Sequence, residues 1–295
     1  MIRVAADDLL KSVPAMEKIN SVQAMREAAA RWRQAGRRVA LVPTQGALHA
    51  GHASLVRLAR ERAEVVVVSA LVNPLQFGPS EDFARYPRTP EADEAWAARE
   101  GVDVLFVPDA GELFPRGFST HVVEEAVSKP LCGVSRPGFF RGLLTCWCKL
   151  MHLVQPAVLV VGERDAQQVA VVRKAVADLL LPIEVVAGPT VRDADGLAVS
   201  ARNAYLTSSQ RAEALAVPAV LQKAAEMVAA GVRSPDRLVA EATHILAERR
   251  RLRVIYIALV DRVSMEPVRE VVPGECLMAV AFWVDEIRLT DNALL

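Results

Sequence analysis

The stretch RVALVPTQGALHAGH, residues 38–52, decides the fold. It opens on a short apolar run, Arg38–Val42, that ends in Pro43. It closes on Gly51 and His52, after which Ala53, Leu55, Val56, Ala59 and Ala63 recur at helical spacing. The predicted order is therefore strand, tight turn, helix. The same alternation continues outward. Val65–Val72, Val102–Val107 and Ala157–Val161 are continuously apolar and rich in β-branched residues, the pattern of strands covered on both faces, as parallel strands are. Residues 91–100 read as a helix stopped by Gly101. Strands alternating with helices imply right-handed crossovers and a doubly wound parallel α/β sheet.

The second half changes character. Ile183–Val186 reads as one more strand, and a loop of turn and polar residues runs on to Asn203. Helices are predicted over 208–230, punctuated by Pro218, and over 235–249; Val254–Val260 and Cys276–Trp283 read as strands of a smaller sheet. A boundary near residue 188 divides the chain into a larger α/β unit, residues 1–188, and a smaller C-terminal α+β unit, residues 189–295, expected to act as a lid.

With 52% hydrophobic and 24% charged residues among 295, the chain has the composition of a folded globular protein, which excludes disorder and collagen-like structure. Its 35 basic residues balance 35 acidic ones, so there is no electrostatic case for general nucleic-acid binding. No apolar run is long enough for a spanning helix, and residues 1–20 mix acids, bases and a proline without a signal-peptide core. The expected location is the cytoplasm, with neither nucleic acid nor membrane as partner. Cys132, Cys146, Cys148 and Cys276 lack zinc-site spacing and read as free thiols packed as small hydrophobes. No side chain is assigned as a metal ligand.

Four segments carry candidate chemistry. In the first, Gln45, Gly46, His49, Gly51 and His52 stand at a strand–helix junction. Exposed N–H groups and the helix dipole favour an anion there, the glycines let a phosphate or ribose approach the backbone, and imidazolium donors would stabilise charge as a triphosphate is cleaved. The plain alternative is two structural histidines in a turn. In the second, VNPLQFGP at 72–79, Gln76 follows a buried strand and offers a neutral donor and acceptor for a hydroxyl or carboxylate. In the third, Gly162-Glu163-Arg164-Asp165-Ala166-Gln167-Gln168, Arg164 suits phosphate, Asp165 a ribose, and Gln168 a substrate, unless the acids merely cap a helix. In the fourth, Val199-Ser200-Ala201-Arg202-Asn203, a serine and an arginine could clamp phosphates from the far side, or lie in a solvated linker. His152 and His244 fall in apolar helical patterns and read as structural. P-loop, G-x-G-x-x-G, G-x-S-x-G and H-E-x-x-H motifs are missing, which argues against P-loop kinases and serine hydrolases.

Taken in order, P-T-x-G-A-L-H-x-G-H, V-N-P-L-Q-F-G-P-S-E-D-F-x-R-Y-P-R-T, F-R-G, G-E-x-D-x-Q-Q and P-T-V-R-D-A-D-G-L-A-x-S-x-R-N-x-Y-L resemble the pantoate–β-alanine ligase family, from about residue 17 to the C-terminus, where Arg288–Asn292 also fits. The resemblance implies a Rossmann-like, HIGH-type nucleotidyltransferase domain with a small C-terminal domain, a homodimer, and ATP with Mg²⁺. It implies two steps: ATP adenylates a small acid with loss of pyrophosphate, then an amine attacks the acyl-adenylate and AMP leaves. Carried over by position, ATP contacts fall on Gln45, Gly46, His49, Gly51, His52, Gly162, Arg164, Asp165, Val191, Val199, Ser200 and Arg202. His52, His49, Arg164 and Arg202 take the catalytic positions. The acid and amine fall to Gln45, Gln76, Gln168, Phe139 and Arg141. The chain departs from the family pattern at Gln45 (usually Met), Phe139 (usually His), Arg164 (usually Lys), Ala201 (usually Ser) and Thr145-Cys146-Trp147 (usually Thr-Val-Val). Two readings follow: the family reaction with tolerated substitutions, or a relative that joins a different acid or amine. A nucleotidyltransferase that stops at the first transfer and an inactive nucleotide-binding protein are the remaining alternatives.

Overall fold

The computed structural model describes residues 16–79 and 81–295; the reading of the N-terminal leader falls mostly outside them. Strands β1 (Glu17–Ile19), β2 (Val39–Thr44), β3 (Val65–Ala70), β4 (Val104–Phe106), β5 (Val158–Gly162) and β6 (Glu184–Gly188) form one sheet in the order β1-β4-β3-β2-β5-β6, with every pairing parallel. Helices α1 (Val22–Gln34), α2 (Ala50–Arg60), α3 (Pro90–Arg99), α4 (Ala110–Leu113), α5 (Cys132–Ser135), α6 (Phe139–Val154) and α7 (Ala166–Asp178) connect them.

The inner strands β2, β3, β4 and β5 are apolar on both sides because both sides are covered. Val39, Leu41, Val65, Val67, Leu159 and Val161 pack into one core layer, while Ala40, Val42, Val66, Val68, Val158 and Val160 pack into the other. Alternation along each strand thus divides one apolar run between two cores. From β2 the chain steps outward through β3 and β4, then returns to place β5 on the other flank of β2, with Ala40 opposite Val158 and Leu41 opposite Leu159. The boundary between β2 and β5 is the point where strand order reverses. In such sheets the crevice beyond the carboxyl ends at that point takes the ligand.

Helix α6 is buried on nearly every face, from Phe140 through Val154. The sequence reading names only an apolar helical pattern around His152 there; Arg141, Thr145, Lys149 and His152 recur at helical spacing along it.

The C-terminal part holds α8 (Ser208–Ala214), α9 (Ala216–Ala229), α10 (Pro235–Ala247) and an antiparallel sheet of β7 (Leu252–Asp261), β8 (Cys276–Val284) and β9 (Ile287–Leu294). The single helix predicted over 208–230 is two, meeting at Leu215; Pro218 stands in the first turn of the second, where no N–H is required. β9 was not predicted. Its sequence IRLTDNAL is too polar to read as a buried strand, and it pairs only with β8. Val260, Met265 and Leu277 join the core on the α6 side of the parallel sheet. Asn292 of β9 donates to the carbonyls of Glu163 and Arg164 at 2.9 and 2.8 Å, so the last strand pins the turn after β5. No helix among the described residues is long and apolar enough to cross a membrane. All four cysteines are free, and burial pushes the Cys146 thiol up to about 12.

Candidate active site

A cleft opens beyond the ends of β2 and β5. Its walls are the loop after β2, the start of α2, the turn after β3, one face of α6, the turn after β5, and the segments 189–191 and 199–202. Every proposed ATP position except Gly46 lines it, as do Gln76 and Gln168.

The loop after β2 is held from behind. Asp93, in the first turn of α3 and 6% exposed, accepts from the backbone N–H of Ala47 at 3.0 Å and of Leu48 at 2.8 Å, and from the Thr89 hydroxyl at 3.0 Å. Thr44, the last residue of β2, accepts from Gly46 N–H at 3.1 Å. Sequence reasoning missed Asp93, because an acid in the first turn of a helix reads as an ordinary dipole partner. Its second ligand set, 45 residues upstream, exists only in the folded chain. An asparagine keeps one of the two acceptor oxygens. Asp93→Asn is therefore expected to cost about 1–3 kcal/mol of unfolding free energy and, by loosening the loop, about 10- to 100-fold in acid-dependent ATP–pyrophosphate exchange. An exchange rate within twofold of wild type would show that the loop keeps its shape without this brace.

His49 is the N-cap of α2, and His52 lies one turn on, the rings stacked with centroids 4.0 Å apart. Gly51 makes the stack possible: a Cβ there would sit 3.0 Å from the His49 ring. His52 Nδ1 accepts from the His49 backbone N–H at 3.2 Å. That bond assigns the proton of neutral His52 to Nε2. Desolvation, then Arg164, lowers His49 to about 4; desolvation, then His49 and Arg164, holds His52 well below 6.5. The imidazolium donors expected from sequence are thus neutral imidazoles in the free protein near pH 7, because burial beside a guanidinium opposes their charge. Because the folded value for His49 lies below the unfolded one, its contribution to stability is whole above about pH 6.5 and is lost as pH falls toward 4. Histidine NMR titration should find the His49 midpoint near 4, moving upward when ATP is added, since a polyphosphate favours the protonated ring. A midpoint near 6.5 in the free protein would contradict the burial argument.

Arg164 forks between the Val199 carbonyl (3.2 Å) and Asp165 Oδ2 (2.8 Å). Burial works against the Asp165 carboxylate, yet Arg164 outweighs it and holds the group below its ordinary range. Arg202 reaches the cleft from the other side, its Nε and Nη2 each 2.9 Å from a different oxygen of Asp82 and its guanidinium 5.2 Å over the Tyr86 ring. Ser200 caps the turn by accepting from Arg202 N–H at 3.3 Å. Val191 and Val199 face each other through a backbone bond of 2.9 Å.

On the turn after β3, Asn73 donates to Gln76 Oε1 at 2.7 Å and to the Gly142 carbonyl at 3.1 Å. The carbonyl end of Gln76 is engaged, which leaves its NH₂ as the free donor for a carboxylate or hydroxyl. Gly142 permits this contact: a Cβ would lie 1.8 Å from the Leu75 carbonyl oxygen. The twin glutamines of α7 have separate duties. Gln167 is buried, donating to Val127 and Pro130 and accepting from Cys132, while Gln168 lines the cleft. Trp147 and Cys146 line it too, and Gln45 Oε1 and His49 Nδ1 are buried without a hydrogen-bond partner among the described residues. Phe139 and Arg141 are not brought to this cleft. Arg141 is solvent-exposed, because the helical turn that turns Gly142 inward carries it outward; Phe139 lies under Arg136 at 3.8 Å and lines an adjoining cavity.

A doubly wound sheet whose switch point gathers a helix N-terminus, two arginines and a set of free amide groups defines a nucleotide-binding α/β protein with room for a second, carboxylate-bearing ligand. The pantoate-beta-alanine ligase family model matches residues 17–294, and the chain belongs to that family. It is 44% identical over 280 residues to the pantothenate synthetase of Moorella thermoacetica, covering 95% of this chain and 99% of that one. The crystal structure of pantothenate synthetase from Thermus thermophilus superposes with a TM-score of 0.90 at 40% identity, covering 95% of this chain and 99% of that one. The pantoate-beta-alanine ligase of Francisella tularensis, solved in complex with beta-gamma ATP and beta-alanine, has a TM-score of 0.78 at 28% identity, covering 95% and 98%.

Proposed function

We propose that this chain is an ATP-dependent ligase that adenylates pantoate and joins the acyl group to β-alanine, giving pantothenate, AMP and pyrophosphate. The observation that carries this reading is one cleft lined by His49, His52, Arg164 and Arg202 together with Gln76 and Gln168. A carboxylate is a poor acyl donor. Attack of its oxygen on the α-phosphorus of ATP expels pyrophosphate and makes a mixed anhydride with a good leaving group. In the proposed roles, His52 Nε2–H and the N-terminus of α2 donate to the phosphates, Arg164 and Arg202 neutralise charge on the leaving pyrophosphate, and Gln76 and Gln168 orient the acid. Holding acid and ATP in one cleft removes the entropic cost of their encounter.

Mg²⁺ enters this proposal with ATP. Magnesium is commonly held by substrate phosphates and one or two carboxylates; Asp165 lines the cleft, and the described residues hold no cluster of three or more metal-ligating side chains. Residues 189–295 are proposed to close over the nucleotide through the 199–202 turn. The homodimer rests on the family resemblance.

A second reading has its own observation. Trp147 and Gln45 line the cleft, so its walls are bulkier and more polar than the family pattern implies. Such a change shifts preference among small acids. The deciding experiment is pyrophosphate release with ATP and Mg²⁺ over a panel of acids including pantoate, each with and without β-alanine, with products read by mass spectrometry. Efficient pantothenate formation supports the first reading. Turnover only with another acid supports the second, and no release with any acid rejects both.

A further inference from the structure

Thr290, Asp291 and Asn292 stand consecutively on β9, and none of them lines the cleft. Strand alternation sends Thr290 and Asn292 to one side and Asp291 to the other. Each side ends on a segment that does line the cleft. On the first, the Asn292 amide spends its two N–H groups on neighbouring carbonyls, those of Glu163 at 2.9 Å and Arg164 at 2.8 Å, and the Thr290 hydroxyl donates to Asp165 Oδ1 at 3.3 Å. On the second, Asp291, 4% exposed, accepts a paired contact from Arg192 at 2.7 and 3.0 Å. Arg192 pairs with Ala198, and its neighbour Val191 accepts from the Val199 N–H at 2.9 Å. The Arg164 fork spans these same two segments, from Asp165 Oδ2 to the Val199 carbonyl. The turn Glu163–Asp165 has no side-chain cap of its own, so its hold comes from residues such as Asn292, 128 and 129 positions further along the chain.

We infer that Asn292 is a positioning residue for Arg164: by gripping the Glu163 and Arg164 carbonyls it sets where the guanidinium points, without itself touching either substrate. The inference rests on the ligase reading above and on the role that reading gives Arg164. A long side chain starts from wherever its backbone holds it, and a small displacement of a charge-stabilising group is costly in a reaction that depends on aim. The chemistry of the grip is specific to a side-chain amide. One NH₂ group supplies two donors in a plane, which matches two adjacent carbonyl oxygens. A carboxylate of the same shape offers only acceptors and would face both oxygens without a proton between them. Thr290 adds a weaker hold on the same turn, through the carboxylate that Arg164 grips.

The test is a double-mutant cycle read by acid-dependent ATP–pyrophosphate exchange. Asn292→Ala, Asn292→Asp and Thr290→Val are each made alone and in the Arg164→Met background. Asn292→Ala should lower the exchange rate about tenfold. Asn292→Asp, equal in size, should lower it at least as much. Thr290→Val, which keeps the side chain's shape, should cost about threefold. Once Arg164 has been replaced, each of these losses should shrink to about twofold or less, because a displaced turn then has no guanidinium to misdirect. Equal losses in the two backgrounds would make Asn292 a structural brace only and overturn the assignment. So would an exchange rate within about twofold of wild type in Asn292→Ala. Thermal unfolding identifies the folded variants, and Thr290→Val carries the same comparison if Asn292→Ala does not fold. Wild-type protein without exchange for any acid would reject the ligase reading, and this inference with it.

Discussion

Replacing His52 with alanine is expected to lower acid-dependent pyrophosphate release by about 10²- to 10³-fold, the cost of losing one aimed donor from a water-poor site. The geometry is specific about which proton is lost. His52 Nδ1 is occupied by the His49 N–H, so Nε2–H is the group available to a ligand, and burial keeps the ring neutral. A neutral donor stabilises developing negative charge without needing to be charged in advance, so the effect should fall on kcat more than on KM for ATP. The substitution also frees the His49 N–H at the start of α2. Thermal unfolding measured alongside separates that structural cost from the chemical one. Release within tenfold of wild type, in a variant that melts normally, would remove His52 from the chemistry.

Arg164→Met is expected to lose a comparable factor, about 10²- to 10³-fold, because the side chain does two things at once. It brings a positive charge to the cleft, and its fork bridges Asp165 to the Val199 carbonyl, tying the turn after β5 to the segment that carries Ser200 and Arg202. Lysine keeps the charge but is a point donor on a flexible stem. Arg164→Lys should therefore lie between, about tenfold down in kcat/KM, the worth of one lost charge-assisted bond. Unchanged turnover would mean that arginine is a passive stand-in for the lysine of the family pattern. The assay is the same exchange measurement, with Asp165→Asn as a companion that loosens the fork while leaving the arginine in place.

The inner parallel strands were legible because each is covered on both faces, so VALV at 39–42 and VVVV at 65–68 read as unbroken apolar runs; the three-residue β1 and helix α1 carry no such run and were not read. The cleft was legible because its chemistry stands directly after strands, at Gln45–His52 after β2 and at Gly162–Asp165 after β5, where a doubly wound sheet puts its ligands. Helix α6 was read only as an apolar helical pattern around His152, and β9 was not read, since its polar residues serve contacts such as Asn292 on the Glu163 and Arg164 carbonyls.

What the sequence by itself determined is the class of fold, the family, and the loops that carry the chemistry, because all of these are written in local periodicity and in ordered short motifs. Only the tertiary structure decided how those groups act. It turned Gln167 inward and left Gln168 in the cleft, set Asp93 behind the histidine loop, and carried Arg141 out to solvent. It also made both imidazoles neutral. Protonation, pairing and access depend on neighbours distant in the chain, and those distances are set only when the chain folds.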